Sequence, residues 1–251
     1  MLTVKRKQLI EARLARDGQV LAKALSQELG TSEDTIRRDL RELAQEGKLQ
    51  RVHGGALPAS AALGELAARR LVAPDEKVAL GRAGAALIQP GQVVILDGGT
   101  TTAELARQLP RDLKATVVTH SPGIAMELAE HANIELILLG GRVFRHSMVT
   151  VGATTIEAAS RIRADLYFMG VTGVHADAGL STGDYEEACV KRALHGRAAE
   201  TIVMASSEKL GAASAHVVVG AGEISTLLVT QTCPSAISEA FVERGVAVVV
   251  A

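Results

Sequence analysis

A short helix is predicted at residues 31–43, and its pattern constrains the fold more than any other stretch of the chain. Thr31 or Ser32 can cap its start, and Asp34 completes a capping-box pattern with Thr31. An apolar stripe follows at helical spacing, formed by Ile36, Leu40 and Leu43. The opposite half carries Arg37, Arg38 and Arg41. One face therefore packs against a core, and the other presents guanidinium groups.

A second predicted helix precedes this one. Leu21, Leu25 and Leu29 recur every four residues, and Gly30 ends that helix directly before the next begins. Helix, glycine turn and helix in this order are typical of a helix-turn-helix. A further helix is predicted at residues 5–16.

A small β-ribbon, or wing, is predicted after Gly47. Residues 48–56 alternate apolar with polar side chains and end in two glycines, and Val20 can add a short strand. The basic side chains of the wing, which would lie beside the arginine-bearing helix, are Lys48, Arg51 and His53.

The second helix of such a unit enters the major groove of DNA, where an arginine can bind guanine with two hydrogen bonds or clamp a phosphate. The alternative is that these arginines are ordinary solvated charges, partly neutralised by Asp39 and Glu42 through helical spacing. The turn, the cap and the wing favour DNA binding. The predicted DNA-contacting residues are Ser32, Thr35, Arg37, Arg38, Arg41, Arg51, His53 and Gly54.

Composition is consistent with a local DNA-binding surface. The net charge is −1, so the whole chain is not a polycation that nucleic acid would attract. Residues 1–60 hold eleven Lys and Arg against eight Asp and Glu, which leaves sixteen of the 27 basic and twenty of the 28 acidic residues for the remainder. A mildly basic head is thus followed by a mildly acidic body.

The two cysteines, Cys189 and Cys233, have no spacing typical of a zinc site or a disulfide framework, so we expect reduced, buried thiols and no metal. No stretch has the length and apolarity of a membrane span, and the first residues lack the apolar segment of a signal peptide. We expect a cytoplasmic protein without a membrane partner.

The second part of the chain alternates strands with helices. Residues 1–57 form the head, residues 58–74 are predicted to be a partly helical linker, residues 75–232 a larger domain, and residues 233–251 an extension ending in an edge strand at 246–250. The predicted strands lie at 93–96, 115–119, 134–139, 164–169, 201–205 and 216–219. This alternation predicts an α/β fold with a parallel sheet covered on both faces.

A phosphate cradle is predicted at residues 97–102, between the first of these strands and the next helix. Glycines let the backbone approach an anion, hydroxyl groups can donate to it, and a helix N-terminus presents free N–H groups. The alternative is a glycine turn with a threonine cap. Three consecutive threonines, from Thr100 to Thr102, exceed what a cap requires.

Further loops follow other strands at the same end of the sheet, where ligands of such folds bind. Arg142 and Arg145 lie on one of them, and Lys209 lies on another. Carboxylates at 184, 186 and 187 can instead be ordinary partners of a helix dipole. The predicted ligand-contacting residues are Asp97, Gly98, Gly99, Thr100, Thr101, Thr102, Gly141, Arg142, Arg145, Thr172, Asp184, Glu187 and Lys209.

The sequence Thr-Ile-Arg-Arg-Asp-Leu at 35–40, with Arg-Val-His-Gly-Gly-Ala at 51–56, resembles the winged helix-turn-helix of the DeoR family of bacterial transcription regulators. The family pattern continues at Glu76-Lys77, Asp97-Gly-Gly-Thr-Thr101, Thr119-His-Ser121, Leu139-Gly-Gly141, Gly179-Leu-Ser-Thr182, Glu187-Ala188 with Lys191, and Ser207-Glu-Lys-Leu-Gly211. The resemblance covers residues 3 to 232.

The resemblance implies a homodimer or homotetramer that binds double-stranded operator DNA, usually as a repressor, and is released by a phosphorylated sugar or related metabolite. It also implies an effector domain similar in fold to ribose-5-phosphate isomerase and glucosamine-6-phosphate deaminase, with no metal or redox cofactor. Ligand and DNA would then favour different arrangements of the protein. Two positions depart from the family pattern: Gly98 stands where serine is common, and His120 where asparagine is usual.

The rival function is a sugar-phosphate isomerase or deaminase with an accessory DNA-binding head. Such chemistry needs a general acid and base, for which the candidates are Asp177, Asp184, Glu187 and Lys209. A fold resemblance does not by itself imply catalysis, so we predict a regulator and not an enzyme. A dinucleotide-binding sensor is excluded because no GxGxxG follows the strand at 93–96.

Overall fold

The computed structural model describes residues 2–251, and its amino-terminal part is a winged helix-turn-helix. Its elements in chain order are α1 (Thr3–Asp17), β1 (Val20–Leu21), α2 (Ala22–Glu28), α3 (Glu33–Gln45), β2 (Leu49–Val52) and β3 (Gly55–Pro58). The strands form an antiparallel sheet in the order β1-β3-β2. Ile10, Leu25, Ile36, Leu40 and Leu43 are buried between the helices and this sheet. The predicted apolar stripe of α3 is thus confirmed.

Two local predictions in the head are wrong. Ser32 alone caps α3, since its Oγ accepts from the backbone N–H of Thr35 at 3.3 Å, so Thr31 and Asp34 do not form the predicted capping box. Leu21 lies in β1 and is 53% exposed, so it does not belong to the apolar face of α2. Pairing of Leu21 with Gly55 in the sheet holds this residue outside the helix.

The connection between the head and the larger domain is folded. After β3 come a single 3-10 turn at Ala61–Leu63, the short helix α4 (Leu66–Arg70) and α5 (Pro74–Ala86). Ala62 and Arg69 are buried, and the backbone N–H of Ala213 donates to the carbonyl of Pro58 at 3.3 Å. The connecting segment is therefore packed against the larger domain along much of its length.

A seven-stranded sheet, parallel throughout, forms the centre of the larger domain in the order β15-β14-β12-β9-β4-β5-β6. The elements that follow α5 are β4 (Val93–Leu96), α6 (Thr100–Gln108), β5 (Ala115–Thr119), α7 (Pro122–Leu128), β6 (Ile134–Leu138), β7 (Arg142–Phe144), β8 (Val149–Val151), α8 (Ala153–Ser160), β9 (Ala164–Met169), β10 (Gly173–His175), β11 (Gly179–Thr182), α9 (Tyr185–His195), β12 (Ala198–Met204), β13 (His216–Val219), β14 (Thr226–Val229), α10 (Ser235–Val242) and β15 (Ala247–Val250). Apolar clusters fill both faces of the sheet.

The strand predicted at 216–219 exists, but the prediction that it belongs to the parallel sheet was wrong. It is β13, which pairs antiparallel with β11 in a separate sheet of order β10-β11-β13. Pairing with β11 places this strand outside the parallel sheet, to which the chain returns only at β14, beside β12. The sheet instead gains β14, which was not predicted, and β15 pairs with it as the predicted edge strand.

A helix contact, the two thiols and the length of the helices complete the description of the fold. Gly81 on α5 lets that helix approach α6 closely, since a Cβ at this position would lie 2.7 Å from the carbonyl carbon of Glu104. Cys189 and Cys233 are unpaired and partly exposed, so the predicted burial of both thiols was wrong. Among residues 2–251, no helix combines the length and apolarity that crossing a membrane requires.

Candidate functional site

Asp97 lies at the carboxyl end of β4 and is fully buried. Its Oδ2 atom accepts hydrogen bonds from Lys191 Nζ at 2.7 Å, from the Tyr167 hydroxyl at 2.7 Å and from the Gly170 backbone N–H at 2.9 Å. Burial alone would raise the pKa of this carboxyl group, but the charge of Lys191 and the hydrogen bond from His120 outweigh it and hold the pKa well below its usual range. Asp97 is thus an ionised centre that ties β4, β9 and α9 together.

His120 completes the hydrogen bonding of Asp97. Its Nε2 atom lies 2.6 Å from Asp97 Oδ1, and its Nδ1 atom lies 2.9 Å from the carbonyl oxygen of Thr150. Both ring nitrogens of His120 therefore face oxygen atoms of the protein, one of Asp97 and one of Thr150. Asp97 was predicted to contact a ligand; the structure places it beneath the cavities, with its oxygens occupied by protein groups.

Lys191 links this centre to a second carboxylate. Its Nζ atom lies 3.0 Å from Glu187 Oε1, and the hydroxyl of Ser147 donates to Glu187 Oε2 at 3.2 Å. Burial lowers the pKa of Lys191, but the two carboxylates more than reverse this and raise it. The buried lysine is therefore charged and fixes Glu187 at the edge of the site.

A small cavity lies above Asp97, at the first turn of α6, with a volume of about 30 Å³. The loop at 98–102 lines one side, and the remainder combines apolar residues, such as Met169 and Met204, with three cationic side chains, Arg69, Lys77 and Lys209, and with Glu208. Lys209 Nζ donates to Thr101 Oγ1 at 3.0 Å. Burial lowers the pKa of Lys209 to about 8, and the charges of Lys77 and Arg69 add to that effect. The predicted loop and the predicted lysine are thus neighbours.

The first turn of α6 points its backbone N–H groups toward this cavity. Gly99 precedes the helix with φ 117°, a conformation that favours glycine. In the part of the chain that the structure describes, no side chain caps this helix at its start. The N–H groups of the first turn have no partner within the helix itself, so an anion can satisfy them.

A second, larger cavity of about 280 Å³ adjoins the first and shares Arg69 with it. It is lined by groups that can bind hydroxyls: Ser147, Thr172, Thr182, Asp184 and Glu187, with His146 nearby. Thr172, Asp184 and Glu187 were predicted as ligand contacts and do line this cavity. The Asp184 carboxylate also caps α9 by accepting from the Glu187 backbone N–H at 2.9 Å.

Four of the predicted residues line neither cavity: Asp97, which lies beneath them, and Gly141, Arg142 and Arg145. Arg142 and Arg145 are exposed, and Arg142 forms an ion pair with Glu186. Gly141 has a structural role, since a Cβ there would lie 2.1 Å from Thr155 Oγ1. Within residues 2–251, no group of His, Cys, Asp and Glu is arranged to hold a metal ion.

Sequence reasoning did not include several residues that build or line the site, among them Arg69, Lys77, His120, Tyr167 and Lys191. Lys77 and Lys191 stood within the family pattern, so that pattern was an available signal. Arg69 had been assigned to the linker. Its place in the site depends on folding of the linker against the sheet, which local sequence does not show.

The arginines of α3 differ in their partners. Arg37 is paired with Glu33, one turn earlier, at 2.7 Å. Arg38 and Arg41 are exposed and have no ionic partner among the described residues. The alternative in which Asp39 neutralises these arginines does not hold, because this residue is fully buried and pairs with Arg6 of α1.

The remaining predicted DNA contacts lie at the start of α3 and on the wing. Ser32 Oγ and Thr35 Oγ1 are 2.9 Å apart at the helix N-terminus. Arg51, His53 and Gly54 are exposed, as predicted for a wing. Arg51 and His53 also line a cleft of about 490 Å³ that separates the wing from residues 175–178 of the larger domain.

A winged helix-turn-helix with unpaired arginines on its second helix, joined to a parallel α/β domain, defines a DNA-binding transcription regulator. Residues 6–61 match the DeoR-like helix-turn-helix domain, and residues 72–231 match the DeoR C terminal sensor domain. The chain therefore belongs to the DeoR family of transcription regulators. Residues 72–231 are called the sensor domain below.

Curated relatives agree along nearly the whole chain. The HTH-type transcriptional regulator GlpR of Haloferax volcanii is 35% identical over 99% of this chain and 98% of its own. A putative aga operon transcriptional repressor of Escherichia coli is 30% identical over 98% of this chain and 93% of its own. The glycerol-3-phosphate regulon repressor of Escherichia coli is 30% identical over 78% of each chain.

Solved structures resemble the chain less closely. The sorbitol operon regulator SorC of Klebsiella pneumoniae aligns over 95% of this chain and 98% of its own, at 13% identity and a TM-score of 0.45. Ribose 5-phosphate isomerase A of Methanocaldococcus jannaschii aligns over 55% of this chain and 54% of its own, at 18% identity and a TM-score of 0.39. Scores this low say nothing about function.

Proposed function

We propose that this regulator is a repressor, released from its operator by a phosphorylated sugar or related phosphorylated metabolite that binds at the first turn of α6. The observation that carries the proposal is the charge in the small cavity. Arg69, Lys77 and Lys209 surround it, and Glu208 is the carboxylate that lines it. An anion bound there would meet two or three cations and the N–H groups of a helix N-terminus.

The unliganded arrangement is electrostatically costly, which supports an anionic ligand. Burial away from water lowers the pKa values of Arg69, Lys77 and Lys209, and neighbouring cations lower those of Lys77 and Lys209 further. A dianion between them would relieve this repulsion. A neutral ligand would not, so a phosphate ester fits the cavity better than a free sugar.

The remainder of the ligand would lie in the larger cavity. Hydroxyl and carboxylate groups there suit a polyol chain, which both donates and accepts hydrogen bonds. The small cavity of about 30 Å³ and the adjoining one of about 280 Å³ together reach the size of a small-ligand pocket, which is typically about 300 Å³ or more. The name of one relative, a glycerol-3-phosphate regulon repressor, is in keeping with a phosphorylated ligand.

Operator binding would use α3 and the wing in at least two copies of the chain. Helix-turn-helix regulators bind paired half-sites through a symmetric dimer, and we propose a homodimer or homotetramer. Ligand and DNA would favour different relative placements of the heads, so each would lower the affinity for the other. The proposed location is the cytoplasm, where operator and metabolites meet.

We propose binding without turnover. Among the carboxylates once considered as catalytic groups, Asp177 pairs with Arg244, away from both cavities. Glu187 is held by Lys191 and Ser147, and Asp184 caps α9. These structural contacts favour a binding role for the two carboxylates that line the larger cavity, in keeping with relatives that are named transcriptional regulators.

The test combines a ligand screen with a DNA-binding assay. Phosphorylated aldoses, ketoses, amino sugars and polyols, each beside its unphosphorylated parent, are screened for thermal stabilisation of the protein. A ligand at about one hundred times its dissociation constant should add roughly 2.7 kcal/mol to the free energy of unfolding.

The stabilising ligand is then added to the protein bound to a duplex from upstream of its own coding sequence. Release of the duplex by the phosphorylated compound and not by its parent is the expected result. Operator affinity unchanged by every compound that binds would contradict the proposal, as would conversion of the ligand into product by the pure protein.

A further inference from the structure

Arg69 is the part of the site that the linker contributes. The residue is 8% exposed, although it lies on a five-residue helix between the two domains. Its guanidinium lines both the small and the larger cavity. One terminal nitrogen donates to the carbonyl oxygen of His146 at 3.2 Å, from a residue 77 positions away in sequence. The side chain thus reaches from α4 into the middle of the candidate site.

The hydrogen bonding of this guanidinium is incomplete. Among residues 2–251, its Nε atom has no hydrogen-bond partner, although the atom is buried. A buried N–H group without a partner is uncommon and costs free energy, so such a group is usually completed by a water molecule or a ligand. No ion pair between a carboxylate and Arg69 is formed within the described part of the chain, where Glu187 and Glu65 act on it through their charges alone.

The position of α4 is fixed by a neighbouring cation. Lys77 Nζ donates to the carbonyl oxygens of Arg69 and Val72, at the carboxyl end of α4. The same ammonium lies 3.7 Å from Glu208, next to Lys209. Ala73 then adopts the left-handed conformation, with φ 45°, before α5 begins. The segment 61–72 is therefore held over the cavity by charged groups of the cavity itself.

The same segment leads directly into the head. Strand β3 of the wing ends at Pro58, and the 3-10 turn and α4 follow within a few residues. A bound anion that attracts Arg69 would act on the stretch of chain that connects the sensor domain to the wing. No relay through the body of the sheet is then required.

We propose that Arg69 is an effector-contacting residue, and that segment 61–72 is the element through which occupancy of the cavity reaches the DNA-binding head. The inference rests on the proposed function, since it assigns a further contact to that same anion. The anion would accept from the unpartnered Nε and from a terminal nitrogen, as a guanidinium binds phosphate in a bidentate manner. The expected bound state has segment 61–72 more firmly closed over the ligand than the free state.

The test measures the affinity of the full-length protein for inorganic phosphate by calorimetry. Arg69→Ala should weaken binding by about 10-fold to 100-fold, the effect of losing a charge-assisted hydrogen bond. Arg69→Lys keeps the charge but loses the two parallel N–H donors of the guanidinium. Its affinity for phosphate should lie between those of Arg69→Ala and the wild type. Arg70→Ala removes the same charge from the exposed face of α4 and is the matched control, with a change of less than about threefold.

Hydrogen exchange supplies the second measurement. Phosphate should slow amide exchange in segment 61–72 of the wild type and of Arg70→Ala, and should not do so in Arg69→Ala. If saturating phosphate leaves amide exchange in segment 61–72 of the wild type unchanged, this segment does not connect the cavity to the head. If Arg69→Ala does not fold, Arg69→Lys decides through its affinity and its exchange.

Lys209→Ala separates the two proposals. Loss of phosphate binding in Lys209→Ala with wild-type affinity in Arg69→Ala leaves the proposed site standing and overturns the role of Arg69. Equal losses in Arg69→Ala and Arg70→Ala would also overturn it, because a general charge effect would then explain the result. Wild-type protein that binds neither phosphate nor any phosphate ester would overturn the proposed function and this inference together.

Discussion

Lys191 Nζ lies 2.7 Å from the Oδ2 atom of Asp97, and both side chains are almost completely removed from solvent. The pair joins the carboxyl end of β4 to α9, and the loop that lines the small cavity begins at the next residue, Gly98. Neither group contacts the cavity. Their effect on a ligand would be indirect, through the positions of the loop at 98–102 and of Glu187.

Replacing Lys191 with methionine should destabilise the protein by about 3–5 kcal/mol, because Asp97 would keep a buried charge without its counter-charge. Urea denaturation of the variant and the wild type measures the difference. Lys23→Met, at an exposed position on α2, is the control and should stay within about 0.5 kcal/mol of the wild type. Equal stability of Lys191→Met and wild type would show that Asp97 is neutral in the folded protein.

Ligand affinity should fall at alkaline pH through Lys209. The pKa of this residue is about 8 in the free protein, and a bound anion would raise it, so binding takes up a proton above that pH. Affinity for a phosphate monoester, which is a dianion well above about pH 6, should be constant near pH 7 and drop up to about tenfold per unit above pH 8.

Calorimetry at several pH values measures this dependence, and Lys209→Arg is the matched variant. Its guanidinium remains charged throughout the range, so its affinity should not fall above pH 8 by the same mechanism. A wild-type affinity that stays level up to the pKa of an ordinary lysine would contradict the assignment of Lys209 as a ligand contact.

Arg38→Ala should weaken operator binding by about 1–3 kcal/mol. If Arg38 contacts a phosphate, the slope of the logarithm of the binding constant against the logarithm of the salt concentration should also fall by about one. Stabilisation of the variant by the effector should be unchanged, because Arg38 lies on the head. Arg111→Ala removes an arginine that is 72% exposed on the sensor domain and should leave DNA affinity unaltered. Equal loss in the two variants would indicate a general charge effect and not a contact by α3.

Gly98→Ser should destabilise the protein by about 1–3 kcal/mol through overpacking. A Cβ at position 98 would lie 2.3 Å from Val149 Cγ1, so this chain cannot accept the serine that the family pattern favours without a change at Val149. Val149→Ala should restore room, and the double variant should be more stable than the two single effects predict, by about 1 kcal/mol or more.

Thermal or urea unfolding of the four proteins completes this cycle. Gly140→Ser is the matched control, because a Cβ there meets no atom within 4 Å. Strict additivity of the effects at 98 and 149 would mean that the two side chains do not compete for the same space.

The elements that sequence predicted well have local causes. The apolar stripe of α3 and the glycine turn before it depend on neighbours in sequence, and the helix-turn-helix and wing of the head were predicted, apart from the capping box and the place of Leu21. Strands β5 and β9 have the predicted bounds, since short apolar runs between polar loops define them. The run at 216–219 looks the same in sequence, yet it belongs to another sheet. An apolar run identifies a strand but not its partner.

In the candidate site, too, sequence predicted the residues whose positions have local causes and missed those that depend on distant contacts. The loop at 98–102 and Lys209 could be placed together because both follow strands of one parallel sheet. Arg142 and Arg145 also follow a strand, but β6 is at the edge of the sheet and its loop leads outward to the β7–β8 hairpin. Arg69 could not be placed, because its contacts come from residues far away in sequence. Direct contact of any of these residues with a ligand or with DNA remains a prediction.

The order in which the sheet is assembled along the chain has a consequence for synthesis. Strand β14 is covered on its outer edge by β15, and the backbone N–H of Ala251 donates to the carbonyl of Val229. The head can complete its three-stranded sheet once residue 58 has left the ribosome, whereas the seven-stranded sheet is complete only with residues 247–250. During translation the nascent chain therefore holds a finished DNA-binding unit beside an unfinished sheet, whose open edge is available to other strands.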